Sequence, residues 1–161
     1  MFRSPRYFAN GVELKGIKKE DLEPGQPIEA HDSALLVDGS TVDRRVKPGA
    51  RVDLTLRAGE HRGKTYLVGT SATPGLLPID FRFARMGSDP ILSASLSMSA
   101  TSVFQRYLGS LDANGHATAT VRLPRDSRLI GTKFYTTFAV VDQSTRSGLA
   151  LISNTVVFAV E

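Results

Sequence analysis

The stretch GSLDANGHATATVRLP, residues 109–124, joins a turn directly to an alternating run. Asp112-Ala113-Asn114-Gly115 sets an aspartate, a good acceptor for backbone N–H groups, ahead of an Asn-Gly pair suited to left-handed backbone. From His116 the character alternates. His116, Thr118, Thr120 and Arg122 oppose Ala117, Ala119, Val121 and Leu123. Period two is the mark of a strand buried on one face. The stretch therefore predicts a hairpin corner between two strands, with Gly115 at positive φ.

The same pattern extends in both directions. In 51–57, Val52, Leu54 and Leu56 face one way, while Arg51, Asp53, Thr55 and Arg57 face the other. Residues 33–37 and 41–46 flank Asp38-Gly39, a two-residue signal for a type I′ hairpin. KTYLVG (64–69) reads as a short strand, and Ile79, Phe81 and Phe83 alternate with Asp80, Arg82 and Ala84. Leu92, Ala94, Leu96 and Met98 alternate with serines, and 103–108 reads as a strand or a turn of helix. KFYTTFAVV (133–141) and TVVFAV (155–160) are β-branched and aromatic. No segment has helical periodicity over eleven residues.

These signals predict an all-β fold, an antiparallel β-sandwich of about nine strands, Ig-like or jelly-roll. The sandwich is assigned to 33–161. Residues 1–32 are broken by Pro5, Pro24 and Pro27 and read as a basic, irregular, extended N-terminal arm, with one helical turn at 18–22.

Composition narrows the chemistry. With 161 residues and 41% hydrophobic content, the chain is long enough to bury a core as one domain. It has no cysteine, which excludes disulfides, thiolate nucleophiles and zinc sites built on thiolates. It has no tryptophan, which weakens a sugar-stacking role. Residues 1–20 carry Arg3, Arg6, Lys15, Lys18 and Lys19 against Glu13 and Glu20, a net +3 of the chain's +4. A basic end of this kind can touch an acidic partner, lipid headgroups or nucleic acid. No run approaches the 18 or so apolar residues of a membrane span. The opening MFRSPRYFANG lacks an apolar h-region, so no signal peptide is expected in this chain.

Two stretches together resemble a β-sandwich repeat or accessory domain of large exported multidomain bacterial proteins. The first is RVKPGARVDLTLRAGEHRGKTYLVGTSATPG (45–75), with its Pro-Gly turn, alternating strand and Tyr-containing strand. The second runs from Leu111-Asp112-Ala113-Asn114-Gly115 through Pro124, Gly131, Phe134, Tyr135 and Asp142 to Ser153-Asn154. The resemblance covers about 45–160 and leaves the first 44 residues outside. It implies a noncatalytic domain and favours an extracellular or particle-surface setting.

Each potential site competes with a structural role. Asp112 and Asn114 resemble the opening of a calcium loop, but His116 and Leu123 stand where further oxygen ligands belong. His31, His61 and His116 are dispersed, without metal-site spacing. Asp80 and Asp142 could form a carboxylate pair for glycosidic cleavage, but both have turn or strand explanations. The run Gly69-Thr70-Ser71-Ala72-Thr73 fails as a serine-hydrolase elbow at its last position. No nucleophile, base and oxyanion donor assemble, so no enzyme, catalytic residue, metal or cofactor is expected.

The interaction candidates are Arg3, Arg6, Lys15, Lys18 and Lys19 in the arm, and Leu76 and Leu77 in the loop 70–78. Exposed leucines there would form a docking surface; leucines folded back would form a lid. The expected function is a structural or interaction module, a surface, fibre or coat-type assembly subunit whose arm contacts a neighbour. The alternatives are a carbohydrate-binding sandwich using Tyr66, Tyr107 and Tyr135, and a coat protein whose arm meets nucleic acid.

Overall fold

The computed structural model describes residues 7–9, 12–14, 33–40, 43–79, 82–97 and 102–161. In chain order the described elements are β1 (Tyr7–Ala9), β2 (Val12–Leu14), β3 (Ser33–Val37), β4 (Arg44–Val46), β5 (Arg51–Ala58), β6 (Thr65–Ser71), β7 (Leu77–Ile79) and β8 (Arg82–Ala84). They continue with helix α1 (Pro90–Leu96), β9 (Phe104–Gln105), β10 (Leu108–Ser110), β11 (His116–Arg122), β12 (Lys133–Val141), β13 (Leu149–Ile152) and β14 (Val156–Val160).

Alternation decides which side of each strand is buried. In β5, Val52, Leu54, Leu56 and Ala58 are buried while Arg51 and Arg57 are exposed. β11 lies antiparallel beside it, with Arg122 opposite Arg51 and His116 opposite Arg57, so Ala119 and Val121 join the same inward face. With β3 and β9 these strands form a four-stranded sheet in the order β3-β5-β11-β9. The second sheet runs β10-β6-β12-β14-β4, and β13 also pairs with β12.

One apolar cluster draws on both sheets. Leu35, Leu54, Leu56 and Val121 come from the first; Val68, Phe138, Val140 and Phe158 come from the second. Phe134 stacks on Phe158 with ring centroids 5.2 Å apart, and Phe104 lies tilted against Tyr107 at 5.0 Å. Apolar area shared between two sheet faces is the main stabilising contribution in such a fold. The molecule is thus mostly β and sandwich-like.

Several expectations are corrected. Among the described residues twelve strands, rather than about nine, lie from Ser33 onward, because several long runs are divided into short pieces. Not every pair is antiparallel: β4 runs parallel to β14, with Arg44 opposite Phe158. The Asp38-Gly39 turn forms as read, with φ of 46° and 82°. Its hairpin, however, stops at the Val37–Ser40 bridge, and β4 then crosses to the other sheet.

The run 79–84 is a hairpin rather than one strand: β7 pairs with β8, with Pro78 opposite Phe83. The Ser/Leu alternation that reads as a strand is α1. Leu92 and Leu96 are four apart, a spacing common to both periods, so the start signal decides. Asp89 caps that helix by accepting the Leu92 N–H at 2.8 Å, with Pro90 in the first turn.

The arm is not wholly irregular. β1 and β2 form a two-stranded antiparallel sheet, with Tyr7 opposite Leu14. Asn10-Gly11 lies between them in the sequence, a hairpin signal the period count passes over. Arg3, Arg6, Lys15, Lys18, Lys19, the turn expected at 18–22, His31, Asp80, Phe81 and Met98 lie outside the described residues.

Candidate functional site: carboxylates, buried tyrosines and sheet edges

The 112–115 turn is a corner between sheets. It leads from β10 in one sheet to β11 in the other, so it sets no hairpin register. Asp112 Oδ1 accepts the N–H groups of Asn114 at 2.8 Å and His116 at 2.9 Å. These bonds, the His116 one foremost, hold its carboxyl below the usual aspartate range. Gly115 has φ of 76°, and its carbonyl accepts the Ala58 N–H at 2.8 Å. The carboxylate is occupied by its own turn. Among the described residues no three His, Asp or Glu side chains gather into a possible metal site.

Asp142 has the same kind of role. Ser144 donates through both Oγ (2.6 Å) and N–H (3.0 Å), and Lys64 Nζ lies 3.3 Å away. Together they hold its pKa at about 2, with the Ser144 hydroxyl the largest cause. His61 sits in the short turn Gly59–His61, and His116 starts β11 facing Arg57 across the strands.

The ring platform expected for sugar is overturned at two of its three positions. Tyr107 is fully buried and Tyr66 nearly so, because both side chains point into the sandwich. Tyr66 donates from its hydroxyl to Arg106 O at 2.9 Å. The Tyr107 hydroxyl lies 2.6 Å from Thr70 Oγ1, which lies 2.8 Å from Thr136 Oγ1 on the neighbouring strand, a buried chain of three hydroxyls. Burial pushes the phenol of each tyrosine up. Tyr135 packs against a second, smaller cluster containing Met86, Leu92 and Ile152.

The 70–78 region divides. β6 continues to Ser71, and Leu77 turns inward against that second cluster. Leu76 is 65% exposed and Phe83 is 60% exposed. Leu76 is thus an exposed leucine, whereas Leu77 packs against the second cluster.

The sheet edges show the most specific polar chemistry. An unpaired strand edge presents N–H and C=O groups to any passing strand. β10 covers only the first half of β6, and the Tyr107 carbonyl takes the Val68 N–H at 2.7 Å. Beyond it the edge is closed by side chains around α1. Thr70 N–H donates to Ser95 Oγ at 3.0 Å, and that hydroxyl lies 2.8 Å from Leu92 O and 3.3 Å from Thr70 O. Ala72 N–H donates to Asp89 Oδ2 at 2.8 Å, where Thr73 Oγ1 (2.7 Å) and Ser71 Oγ (3.1 Å) also donate.

Asn154 closes the edge of β3 in the opposite sheet. Its Oδ1 accepts the Leu35 N–H at 2.8 Å, and its Nδ2 donates to Leu35 O at 3.0 Å. Ser40 serves Val37 in the same way through its backbone. The outer edge of β13 differs. Arg82 Nη2 donates to Leu149 O at 2.9 Å, but no strand among the described residues pairs there. Asp89, Ser95 and Asn154 were not site candidates in the sequence. Asp-Pro at 89–90 was a legible cap signal; the partners of Ser95 and Asn154 were not legible.

Asp89 carries a pH signature. Burial disfavours its charge, but donation from Thr73, Leu92, Ala72 and Ser71 outweighs this and keeps its pKa below the usual value. Its contribution is therefore complete above about pH 4 and disappears as pH falls through the lower folded-state pKa. Asp89→Asn is expected to cost about 1–2 kcal/mol at pH 7 in urea unfolding. The deficit should shrink as pH falls from about 4, where the unfolded state begins to bind a proton, through the lower folded-state pKa. A deficit constant down to pH 2 would contradict this assignment.

No family model and no curated protein matches the sequence. Among solved structures the chain is similar to the Salmonella enterica SafA pilin in complex with the SafB chaperone, at 12% identity and a TM-score of 0.42. The similarity covers 80% of this chain and 55% of that chain, so the chain spans about half the length of the structure it matches.

Proposed function

We propose that this chain is a noncatalytic structural or interaction module, an assembly subunit of fibre, coat or surface type. Its N-terminal arm contacts a neighbouring subunit. The proposal includes the resemblance of 45–160 to sandwich accessory domains of exported bacterial proteins and an Ig-like or jelly-roll strand path. The observation that carries it is the pairing of two incomplete sheets. β1 and β2 form a two-stranded sheet with no third strand among the described residues. An isolated hairpin is marginal in water and gains stability by joining a larger sheet. The sandwich offers such a place at the outer edge of β13, whereas β3 and β6 are closed by side chains. Strand addition at an open edge gives affinity through main-chain hydrogen bonds.

Deleting residues 1–30 should leave the sandwich folded, since its core among the described residues is built from Leu35 onward. It should also abolish association. Light scattering and circular dichroism together test this: a folded truncation with the oligomeric mass of the full chain would sink the proposal.

A further inference from the structure

The outward face of the β3-β5-β11-β9 sheet is unusually basic for its charge partners. Cross-strand register sets Arg51 directly opposite Arg122, and Arg57 opposite His116. Like charges placed opposite each other destabilise a sheet. Arg51 has a carboxylate neighbour in Asp53 at 3.0 Å, which Thr120 also reaches at 3.3 Å. Among the described residues neither Arg57 nor Arg122 has a carboxylate partner.

Charge along the chain is more divided than a basic arm implies. The basic character of the arm ends at Lys19. Residues 20–32 contain Glu20, Asp21, Glu23, Glu29 and Asp32 with no lysine or arginine, a net −5. Residues 1–32 as a whole hold five basic and six acidic side chains and are net −1, which corrects the basic reading of that range. Residues 33–161 hold fifteen basic and ten acidic side chains, net +5.

We propose that this arginine-bearing face is the docking surface for the acidic segment 20–32 of the same molecule. Asp32 is bonded to Ser33, whose register partner Ala58 is the neighbour of Arg57. The segment therefore starts at the Arg57–His116 end of the face. From Arg51 to Arg57 is roughly 20 Å of strand, and thirteen extended residues reach roughly 40 Å. Tethering beside its site also raises the segment's effective concentration over any free competitor. The inference is independent of strand addition by β1 and β2.

Zero-length carbodiimide coupling tests it on the full chain. Arg57→Lys keeps the charge and introduces an amine; Arg122→Lys is a second exposed variant should the first fold poorly. The expected result is a cross-link from the introduced amine to a carboxylate within 20–32, in the monomer band. Its yield should fall about tenfold in 0.5 M salt, as screening shortens the reach of the charges. Three results would overturn the proposal. One is a reactive introduced amine with no cross-link to 20–32. Another is a cross-link confined to the dimer band, which would make a second copy the occupant. The third is tight retention of the wild-type chain on heparin at physiological salt, lost in Arg57→Ala, which would show a face open to free polyanions.

Discussion

Gly115→Ala is expected to destabilise the protein by about 4 kcal/mol, read as a shift in the urea midpoint. Two causes combine. At φ of 76° an alanine is held in a conformation that L side chains rarely adopt. Its Cβ would also lie 2.4 Å from Ala58 O and 2.7 Å from Gly59 Cα, and neither atom can rotate away because both are backbone. Relief requires moving the corner from the end of β5, which breaks the Ala58 N–H bond to Gly115 O. Gly39→Ala separates the two causes. Gly39 has φ of 82° but nothing within 4 Å of an added Cβ, so only backbone strain of about 1 kcal/mol is expected. Equal losses at the two glycines would refute the contact argument.

Asn154→Ala should cost about 3 kcal/mol and expose the Leu35 amide to hydrogen exchange. The Asn154 carboxamide serves both main-chain groups of Leu35, which sits at the core edge of β3. Removing the side chain leaves a donor and an acceptor unpaired, each worth about 1–3 kcal/mol where water does not reach. Asn154→Asp distinguishes pairing from packing: it keeps the acceptor for the Leu35 N–H but sets a carboxylate against Leu35 O. It should be no better than alanine at pH 7, despite its near-identical shape. Asn114→Ala is the reference, since the turn uses the Asn114 N–H rather than its side chain, and a change within about 0.5 kcal/mol is expected. A protected Leu35 amide in Asn154→Ala would overturn the clamp.

Much of the fold was legible wherever one face of a strand is buried and the other wet. The runs at 51–57 and 116–122 became β5 and β11 with the expected faces inward, and 133–141 became β12. Turn chemistry was legible for the same local reason: Asp38, Gly39 and Gly115 take positive φ where short polar or glycine residues signal it. Misreadings arose where a local pattern fits two structures. Leu92 and Leu96 fit either period, and only the Asp89-Pro90 start separates helix from strand. At 79–84 alternation persisted across a hairpin, since both arms of a hairpin alternate.

The interaction candidates fared according to their surroundings. Leu76 and Leu77 are neighbours of one chemistry, yet one is exposed and the other lies in a cluster built by α1, β8 and β13. Tyr66 and Tyr107 became core by different routes: the alternation of β6 points Tyr66 inward, while Tyr107, in the connection between β9 and β10, is buried against Phe104 and the Thr70 hydroxyl.

The sequence by itself determined the strand class, the faces of the long strands, the positive-φ turns and the absence of cysteine chemistry. These follow from backbone sterics and side-chain period, which act over a few residues. Tertiary structure alone decided that 109–124 bridges two sheets, that β4 lies parallel to β14, and that Asn154 closes an edge 119 residues away. Those outcomes depend on which distant edges meet, and a local pattern of hydrophobic and polar residues carries no term for that.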